Sequence, residues 1–472
     1  MREYLFGLIL VLFGFISCQK SSPVDSGSIK RGLLLSKIDK DYSDEYSVSL
    51  NDVQRFANCH CNGRTYSIIP LAKDTDTLLF IVNYENGWML ISGDKRTCPV
   101  LAESPDGFLD LTSAHNGILI WLDSMAEDIW QYKKLSKEDE NDNIRFWKRI
   151  SDSPPSKSKS IKTARNEPLE KWYAITYGPE LIGESSWDSI PHLIPTQWGQ
   201  DYPWNTKCPL DLSALGKCLL GGSATALGQM IRYTHFVLGK PNQLYHYINC
   251  TYSTINGSST DIGFERGNLN SSSSRWNDMA ISSSSPSGIE YAGALMLDIG
   301  NRIGMEYSGN GSEAGIPAND ISNYYGLSFT KADYSFAPVI SNLNDSLPVL
   351  VSAYSHRGWL GLSYTGGHAW IIDGIHCLTR SYRSITEFEC SENWINHTPA
   401  YDTFEELAQA YGIQDPNDQI IDCFNLNYLY LLMNWGYDGQ YDSGYYGSYP
   451  TDDWYVSTTN YQYKRKIYYD FH

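Results

Sequence analysis

Two consecutive glycines, Gly221 and Gly222, stand directly before a clear helical pattern. The residues that carry this pattern recur at the i, i+3, i+4 and i+7 spacing of an amphipathic helix: Leu227, Met230, Ile231 and Thr234. The spacing predicts a helix over Ser223–Phe236 that is entered through a tight turn. Backbone N–H groups at such a helix start favour an anion. A glycine-rich helix start without any catalytic role fits the same residues.

Length and composition define the class of protein. The chain has 472 residues, of which 42% are hydrophobic and 14% aromatic, enough for the packed cores of two or three domains. Subtracting 54 acidic from 36 basic side chains gives a net charge of −18, which repels phosphate backbones and argues against a nucleic-acid partner. The 35 tyrosines, together with frequent Gly, Ser and Asn, favour a strand-rich extracellular protein.

The first residues carry an export pattern. An apolar run over Leu5–Ile16 follows an early arginine and ends just before Cys18. The run is too short for a membrane-spanning helix and is typical of a bacterial lipoprotein signal, with Cys18 as the lipidated residue. An ordinary cleaved secretory signal is the alternative. We therefore expect residues 1–18 to be the signal, residues 19–45 a flexible tether, and the protein a cell-surface or outer-membrane lipoprotein, or otherwise secreted.

The nine other cysteines give no readable disulfide framework, because their number is odd and their spacing uneven. Cys59-His60-Cys61 does not fit structural zinc, which favours two to four residues between cysteines and needs a second pair nearby. We expect no metal and no cofactor. Membrane contact is expected only through the lipid anchor, and the protein is expected to be a monomer.

Periodicity and composition divide the remaining chain into two domains joined by a linker. Residues 46–150 read as a small α+β domain, residues 151–170 as an exposed Ser/Pro/Lys-rich linker, and residues 171–472 as a second domain. The elements predicted in the first domain are a helix over Ser49–Cys59, strands over Tyr66–Pro70, Thr77–Tyr84 and Gly87–Ser92, and a helix over Ile118–Tyr132. Ser49 or Asn51 is expected to cap the first helix, and Glu85-Asn86 is expected to form a hairpin turn between the last two strands. In the second domain a further helix is predicted over Ser287–Ile303, with strands dominating from Val349 onward.

A strand that begins near His368 carries the second chemical signal. In Gly366–Gly374, alternation places His368, Trp370 and Ile372 on one face, with the imidazole at the mouth of the strand. A histidine is suited to proton transfer because its ordinary pKa is near 6.5.

The stretch Gly221–Tyr233 resembles the nucleophile helix of the streptopain family of secreted cysteine peptidases. That family has the pattern Gly-Cys-Val-Ala-x-Ala-x-Ala-Gln-Ile-Met-x-Tyr, and counting back from Gln229 places its cysteine at position 222. A cysteine peptidase needs a thiolate beside a histidine, usually at a helix N-terminus. In this sequence the position holds Gly222, which has no side chain to attack with.

Other motifs carry the same resemblance. Gly366–Gly374 is similar to the family's Gly-His-Ala-Phe-Val-Ile-Asp-Gly strand, which makes His368 the counterpart of the general base. In Thr196–Pro209, Gln200 matches the glutamine that helps stabilise the oxyanion. Met433–Gly439 resembles Asn-Trp-Gly-Trp-x-Gly, in which the Asn434 amide and the Trp435 ring would orient and shield the imidazole. Weaker matches lie at Arg275–Met279 and at Leu297–Gly300. Residues 80–102 separately resemble the propeptide of streptopain relatives, which is also the fold of their dedicated inhibitors.

The resemblance implies an α+β chain: a papain-like cysteine peptidase fold preceded by a small propeptide-like domain. It implies a family member that has lost its nucleophile and binds peptides or a related peptidase without hydrolysis.

Two alternatives stay open. The chain is an active peptidase if Cys218, four residues upstream, serves as nucleophile through a shifted loop, or if position 222 of this sequence is not the natural residue. Ser223 is a weaker candidate and is expected to cap the helix. The other alternative is an inhibitor that acts through its N-terminal domain.

Overall fold

A computed structural model describes most of both expected domains. The described residues are 45–61, 64–134, 141–152, 171–211, 216–239, 247–253, 259–265, 278–284, 287–309, 311–312, 314–355, 366–391, 400–447 and 465–472. The predicted signal with Cys18, nearly all of the tether, almost all of the linker, and Trp276 of one weaker motif lie outside these residues.

The N-terminal part is a four-stranded antiparallel meander with three helices. Its elements are α1 (Leu50–His60), β1 (Tyr66–Lys73), β2 (Asp76–Tyr84), β3 (Gly87–Ser92), β4 (Val100–Ser104), α2 (Asn116–Lys133) and α3 (Asp142–Asp152). Helix α1 begins at a reciprocal capping box, in which the Ser49 hydroxyl accepts from the Asp52 N–H and the Asp52 carboxylate accepts from the Ser49 N–H. The predicted hairpin is confirmed, since Tyr84 pairs with Gly87 across Glu85-Asn86.

The C-terminal part contains the remaining elements. In chain order they are β5 (Lys171–Ile190), β6 (Leu210–Asp211), β7 (Gly216–Lys217), α4 (Gly222–Arg232), β8 (Tyr247–Ser253), β9 (Ser259–Glu265), α5 (Ile289–Arg302), α6 (Ala318–Tyr325), β10 (Thr330–Asp333), α7 (Phe336–Asn344), β11 (Val349–Ser355), β12 (Gly366–Ser391), β13 (Ala400–Tyr401), α8 (Phe404–Tyr411), β14 (Ile420–Asn434), β15 (Tyr445–Gly447) and β16 (Arg465–Tyr469).

One continuous sheet runs through both parts. Its strand order within the described residues is β1-β2-β3-β4-β15-β14-β12-β11-β16-β10, with β5 on the far half of β12 and β13 on β5. The join between the two parts is the antiparallel pair β4 and β15, in which Glu103 faces Tyr445 and Ala102 faces Tyr446. The N-terminal meander therefore extends the sheet of the C-terminal part.

Alternation along β12 separates two cores. Trp370 and Ile372 point into a core shared with the N-terminal part, whereas Ala369 and Ile371 point into a second core under α4 and α5. This confirms the predicted alternation, because successive side chains of a strand point to opposite faces. The start of β12 and the start of α4 meet at the boundary between the two cores.

Some elements differ from their predictions. Helix α4 ends at Arg232 and continues as a wide turn over Tyr233–Val237, short of the predicted regular helix to Phe236. Strand β5 was not predicted, and the distal half of β12 was predicted only through the general expectation of strands from Val349 onward. Their residues show no apolar alternation, and their pairing with each other spans about two hundred positions of sequence.

Candidate active site

Position 222 faces the imidazole of His368. Helix α4 begins at Gly222, and the preceding Gly221 has a φ of +85°, a conformation that favours glycine. A Cβ built on Gly222 would lie 2.6 Å from Nδ1 and 2.8 Å from Cε1 of His368. The structure thus brings together the two positions that the sequence motifs paired.

The imidazole of His368 is fixed in one tautomer. Its Nε2 lies 2.9 Å from the backbone carbonyl oxygen of Trp435, which can only accept, so Nε2 carries the proton. Its Nδ1 lies 3.3 Å from the Tyr437 hydroxyl, which can donate to it, and is the ring atom nearest to a Cβ built at position 222. Burial lowers the pKa of His368 to about 4, opposed by the bond to Trp435, so the ring is neutral at pH 7. This is the protonation state that a general base needs.

The Asn434 amide does not hold this ring, contrary to the expectation from its motif. Its Nδ2 donates to the Thr196 carbonyl at 2.7 Å, and its Oδ1 accepts from Gln229 of α4 at 2.9 Å. The reason lies in the strand register. Asn434 is directly opposite Ile371, and opposite residues share a face, so its side chain lies on the Ile371 face and away from that of His368. The backbone of the next residue, Trp435, orients the imidazole.

The Trp435 ring lies on the His368 face as the motif predicts. It is fully buried and packs against Trp370 with ring centroids 5.2 Å apart. A buried carboxyl group supports its backbone, since the Trp435 N–H donates to Asp442 at 3.0 Å. Burial raises the pKa of Asp442 to about 7. Asp442 is therefore a positioning residue for the carbonyl that holds His368.

Gln200 lies beside the start of α4, with its side chain already engaged. Its backbone carbonyl accepts from Leu220 at 2.9 Å, which brings it next to the turn before α4. Its Nε2 is 3.5 Å from the Gly436 carbonyl, and its side chain also bonds to the Tyr437 hydroxyl. The role of Gln200 as an oxyanion donor stays a prediction.

Sequence reasoning missed Tyr437 as a site residue. Its hydroxyl bonds to His368 Nδ1, to the Gln200 side chain and to the backbone of Asn116 and Gly117 at the start of α2. Burial raises the pKa of Tyr437, so the phenol is neutral and is not a nucleophile. One signal was available: the streptopain motif has tryptophan at this position, and tyrosine adds a hydroxyl.

The N-terminal part also reaches the site, which no sequence motif indicated. The imidazole of His115 stacks on Tyr437 with centroids 3.8 Å apart, and its Nε2 lies 2.6 Å from the Gln440 side-chain oxygen. A Cβ built on Gly117 would lie 2.6 Å from Cδ2 of His368. The start of α2 therefore covers the imidazole from the side opposite to α4.

Cys218 lies in an unfavourable environment for a nucleophile. Its side chain is fully buried within the core under α4, and burial raises its pKa to about 11. Its backbone carbonyl accepts from Asn205 at 3.1 Å and its N–H donates to Pro209 at 2.8 Å, which holds the loop in place. Both findings count against attack by this thiol, because the thiolate is the reactive species.

Ser223 does not cap α4, which corrects the expectation from sequence. The N-cap is Gly221, and the Ser223 hydroxyl donates to the Ala314 carbonyl at 2.8 Å. The cavity beside position 222 has a volume of about 20 Å³, which is room for a water molecule. The residues that line it are Gly222, Ser223, Ser312, Ala314, Ser352, Gly367 and His368.

Family models match both parts of the chain. The Peptidase C10 family model matches residues 198–446, which include position 222, His368 and Asn434. The chain belongs to the Peptidase C10 family. This confirms the resemblance to streptopain and the papain-like α+β fold. The Spi protease inhibitor model matches residues 50–129, which confirms the propeptide-like N-terminal domain.

Two solved structures from Prevotella intermedia are similar to the chain. Prointerpain A is 18% identical, covering 86% of this chain and 98% of its own, with a TM-score of 0.47. The active wild-type interpain A cysteine protease is 21% identical, covering 59% of this chain and 94% of its own, with a TM-score of 0.37. A search of curated sequences gives no significant match. The Peptidase C10 assignment rests on the family models.

No helix among the described residues is long and apolar enough to cross a membrane. The same part of the chain contains no group of three or more His, Cys, Asp or Glu side chains placed to hold a metal ion. His60 is flanked by the two cysteines singled out from the sequence. Its Nδ1 lies 3.3 Å from the Phe56 carbonyl oxygen, and its Nε2 lies 3.1 Å from the Tyr382 hydroxyl.

Proposed function

We propose that this chain is an exported, non-hydrolytic member of the Peptidase C10 family that binds polypeptide at the remains of a peptidase site. One observation carries the proposal: Nδ1 of His368, the nitrogen without the proton, is the ring atom nearest to position 222, where there is no side chain to deprotonate. Export rests on the pattern that ends at Cys18, and lipidation of Cys18 is part of the proposal.

The surviving groups support binding rather than catalysis. His368 and Gln200 lie at the start of α4. The backbone N–H of residue 222 is present whatever side chain that residue carries. Removing a catalytic nucleophile typically lowers turnover by about 10⁶. The buried thiol of Cys218 does not replace it. A polypeptide would reach these groups only when α2 moves away from them.

Casein hydrolysis by the native chain and by Gly222→Cys tests the proposal. We expect no hydrolysis by the native chain and measurable hydrolysis by Gly222→Cys, assayed before and after cleavage of the connection between the domains. The double variant Gly222→Cys/His368→Ala is the matched control and should be inert. Hydrolysis by the native chain that disappears in Cys218→Ala would show that the chain is an active enzyme.

Failure of Gly222→Cys in both states would mean that the site has changed beyond the nucleophile. Polypeptide binding is tested separately with the unaltered protein. A fluorescent unfolded casein should bind with a saturable isotherm and compete with unlabelled casein. The absence of saturable binding at micromolar protein would remove that half of the proposal.

A second candidate function is inhibition of a related peptidase through the N-terminal domain. The match of residues 50–129 to the Spi protease inhibitor model favours it. In this chain the start of α2 already lies against its own His368. The full chain should inhibit an active Peptidase C10 enzyme at micromolar concentration if this function is real, and no inhibition would exclude it.

A further inference from the structure

Two glycines, one from each domain, lie against opposite edges of the His368 ring. Gly222 of α4 lies on the side of Nδ1 and Cε1, where its Cβ would approach to 2.6 and 2.8 Å. Gly117 of α2 lies on the side of Cδ2 and Nε2, where its Cβ would approach to 2.6 and 3.0 Å. Favourable contacts between carbon atoms are about 3.5–4.0 Å long. Neither position has room for even a methyl group.

The ring cannot move aside easily. Tyr437 stacks on it with centroids 4.9 Å apart and an interplanar angle of 11°, and Trp370 lies parallel at 6.2 Å. Its Nε2 is held by the Trp435 carbonyl. A Cβ on Gly222 would also meet the backbone N of Ala369 at 3.2 Å. A side chain at 222 or 117 must therefore displace the ring or one of the helices.

Backbone conformation does not explain these two glycines. Neither Gly117 nor Gly222 has the positive φ that favours glycine, and both lie within the first turn of a helix. Glycine in a helix costs about 1 kcal/mol relative to alanine. What the two residues share is the close approach of the imidazole. Gly183 of β5 provides a contrast, because a Cβ there would meet nothing within 4 Å.

The rest of the contact between the domains is extensive. The β4 and β15 pair makes the sheet continuous, and one hydrophobic core contains side chains of both domains. The buried guanidinium of Arg380 donates through Nη2 to both carboxylate oxygens of Glu103, at 2.8 and 2.6 Å. Separation would leave Arg380 without this partner and expose the shared core to water.

We propose that the N-terminal domain of this chain covers the catalytic centre in the resting protein and is held closed by a clamp, in which Gly117 and Gly222 lie against opposite edges of the His368 imidazole. Polypeptide then binds at the site only while this clamp is open. The absence of a side chain at 222 is then a requirement of closure as well as a loss of the nucleophile. This inference goes beyond the proposed lack of activity and does not depend on it, since it concerns only how the domains are held together.

A nicked full-length chain tests the clamp. A protease recognition sequence placed between residues 153 and 170 allows the folded protein to be cut once. The two fragments of the native chain should co-elute in size-exclusion chromatography, and the rate of their separation is measured by exchange with a labelled N-terminal fragment. Gly222→Ala and Gly117→Ala should each separate about tenfold faster or more, because overpacking of this kind is destabilising. Gly183→Ala should match the native rate.

A variant that lacks the imidazole shows whether the effect depends on the His368 ring. In His368→Ala the imidazole is gone, so adding Gly222→Ala should no longer accelerate separation. Thermal unfolding by circular dichroism identifies any variant that does not fold. If one of Gly117→Ala and Gly222→Ala fails to fold, the other still tests the clamp. Native fragments that elute separately from the size-exclusion column would overturn the cover. Native rates in both alanine variants, or an acceleration that persists without the imidazole, would overturn the clamp.

Discussion

Cys218 and Gly222 lie four residues apart on the approach to α4, and each has one half of what a nucleophile needs. Cys218 has the sulfur, but its side chain is fully buried and its pKa is raised by burial to about 11. Gly222 has the position, at a helix start and next to Nδ1 of His368, but no side chain. A sulfur alone therefore does not make a nucleophile, because a thiol also needs surroundings that favour the thiolate.

A thiol placed at position 222 gives the largest expected effect. After cleavage between the domains, the thiol introduced by Gly222→Cys should react with iodoacetamide at pH 7 about 10³–10⁴ times faster than Cys218, because a pKa near 11 leaves few thiolates whereas a helix start beside a base lowers the pKa. Site-resolved mass spectrometry of the alkylated peptides measures both rates in one sample. Equal rates at the two positions would show that the surroundings of Gly222 do not activate a thiol.

The carboxyl of Asp442 acts indirectly on the base, His368. It accepts from the Trp435 N–H and so supports the backbone that holds the imidazole. Its pKa is raised by burial to about 7, so the neutral form is favoured in the fold. Its stabilising contribution is complete below the ordinary Asp pKa and is lost as the pH rises through about 7. Between these two values the free energy of unfolding should fall by about 1.4 kcal/mol for each pH unit. Asp442→Asn should remove this loss.

Urea unfolding of the native chain and of Asp442→Asn at pH 5 and pH 8 measures the loss of stability assigned to Asp442. His192, whose pKa is raised by its bond to Asp373 in spite of burial, adds a loss of the same sign in both proteins. His368 has the opposite sign, since its pKa is lowered by burial and its contribution is lost as the pH falls through about 4. The same pH dependence in the native chain and in Asp442→Asn would contradict the assignment to Asp442.

The loop that carries Cys218 can be loosened to ask whether its position is the obstacle. Asn205→Ala removes the donor to the Cys218 carbonyl and should lower the free energy of unfolding by about 1–3 kcal/mol, because a buried acceptor is left without its partner. Alkylation of Cys218 should become faster, and casein hydrolysis should stay absent. Hydrolysis in this variant would show that a shifted loop is enough to deliver the thiol.

The smallest effect is expected for Cys218 itself. Cys218→Ala should cost about 1 kcal/mol of stability, as for an ordinary buried substitution, and leave the alkylation rate of the thiol introduced by Gly222→Cys unchanged. Urea unfolding and site-resolved alkylation of Gly222→Cys/Cys218→Ala measure the two quantities. A marked loss of reactivity would give Cys218 a part in the site.

Local signals predicted the elements near the site better than the contacts within it. Strand β3 has the predicted bounds, and Ser49, one of the two expected caps, begins α1, because hairpin and capping signals lie within a few residues of sequence. The approach of Gly222 and His368 followed from the family motifs. The Asn434 contact was wrong, because it depends on which face of β14 pairs with β12.

The contribution of the N-terminal domain to the site was beyond sequence reasoning. His115 and Gly117 reach His368 only through the pairing of β4 with β15 and the packing of α2, which join segments more than two hundred residues apart. No periodicity or motif records such a contact. The hydroxyl of Tyr437 was visible as a departure from the family pattern, but its partners on α2 were not.

The loss of the nucleophile is tested by intact-mass spectrometry after incubation with a peptidyl epoxide, a covalent probe of cysteine peptidases. The native chain should keep its mass. Gly222→Cys should gain one probe after cleavage between the domains, because its added side chain also loosens the clamp. A native chain that gains one probe, and loses this ability in Cys218→Ala, would contradict the loss of the nucleophile.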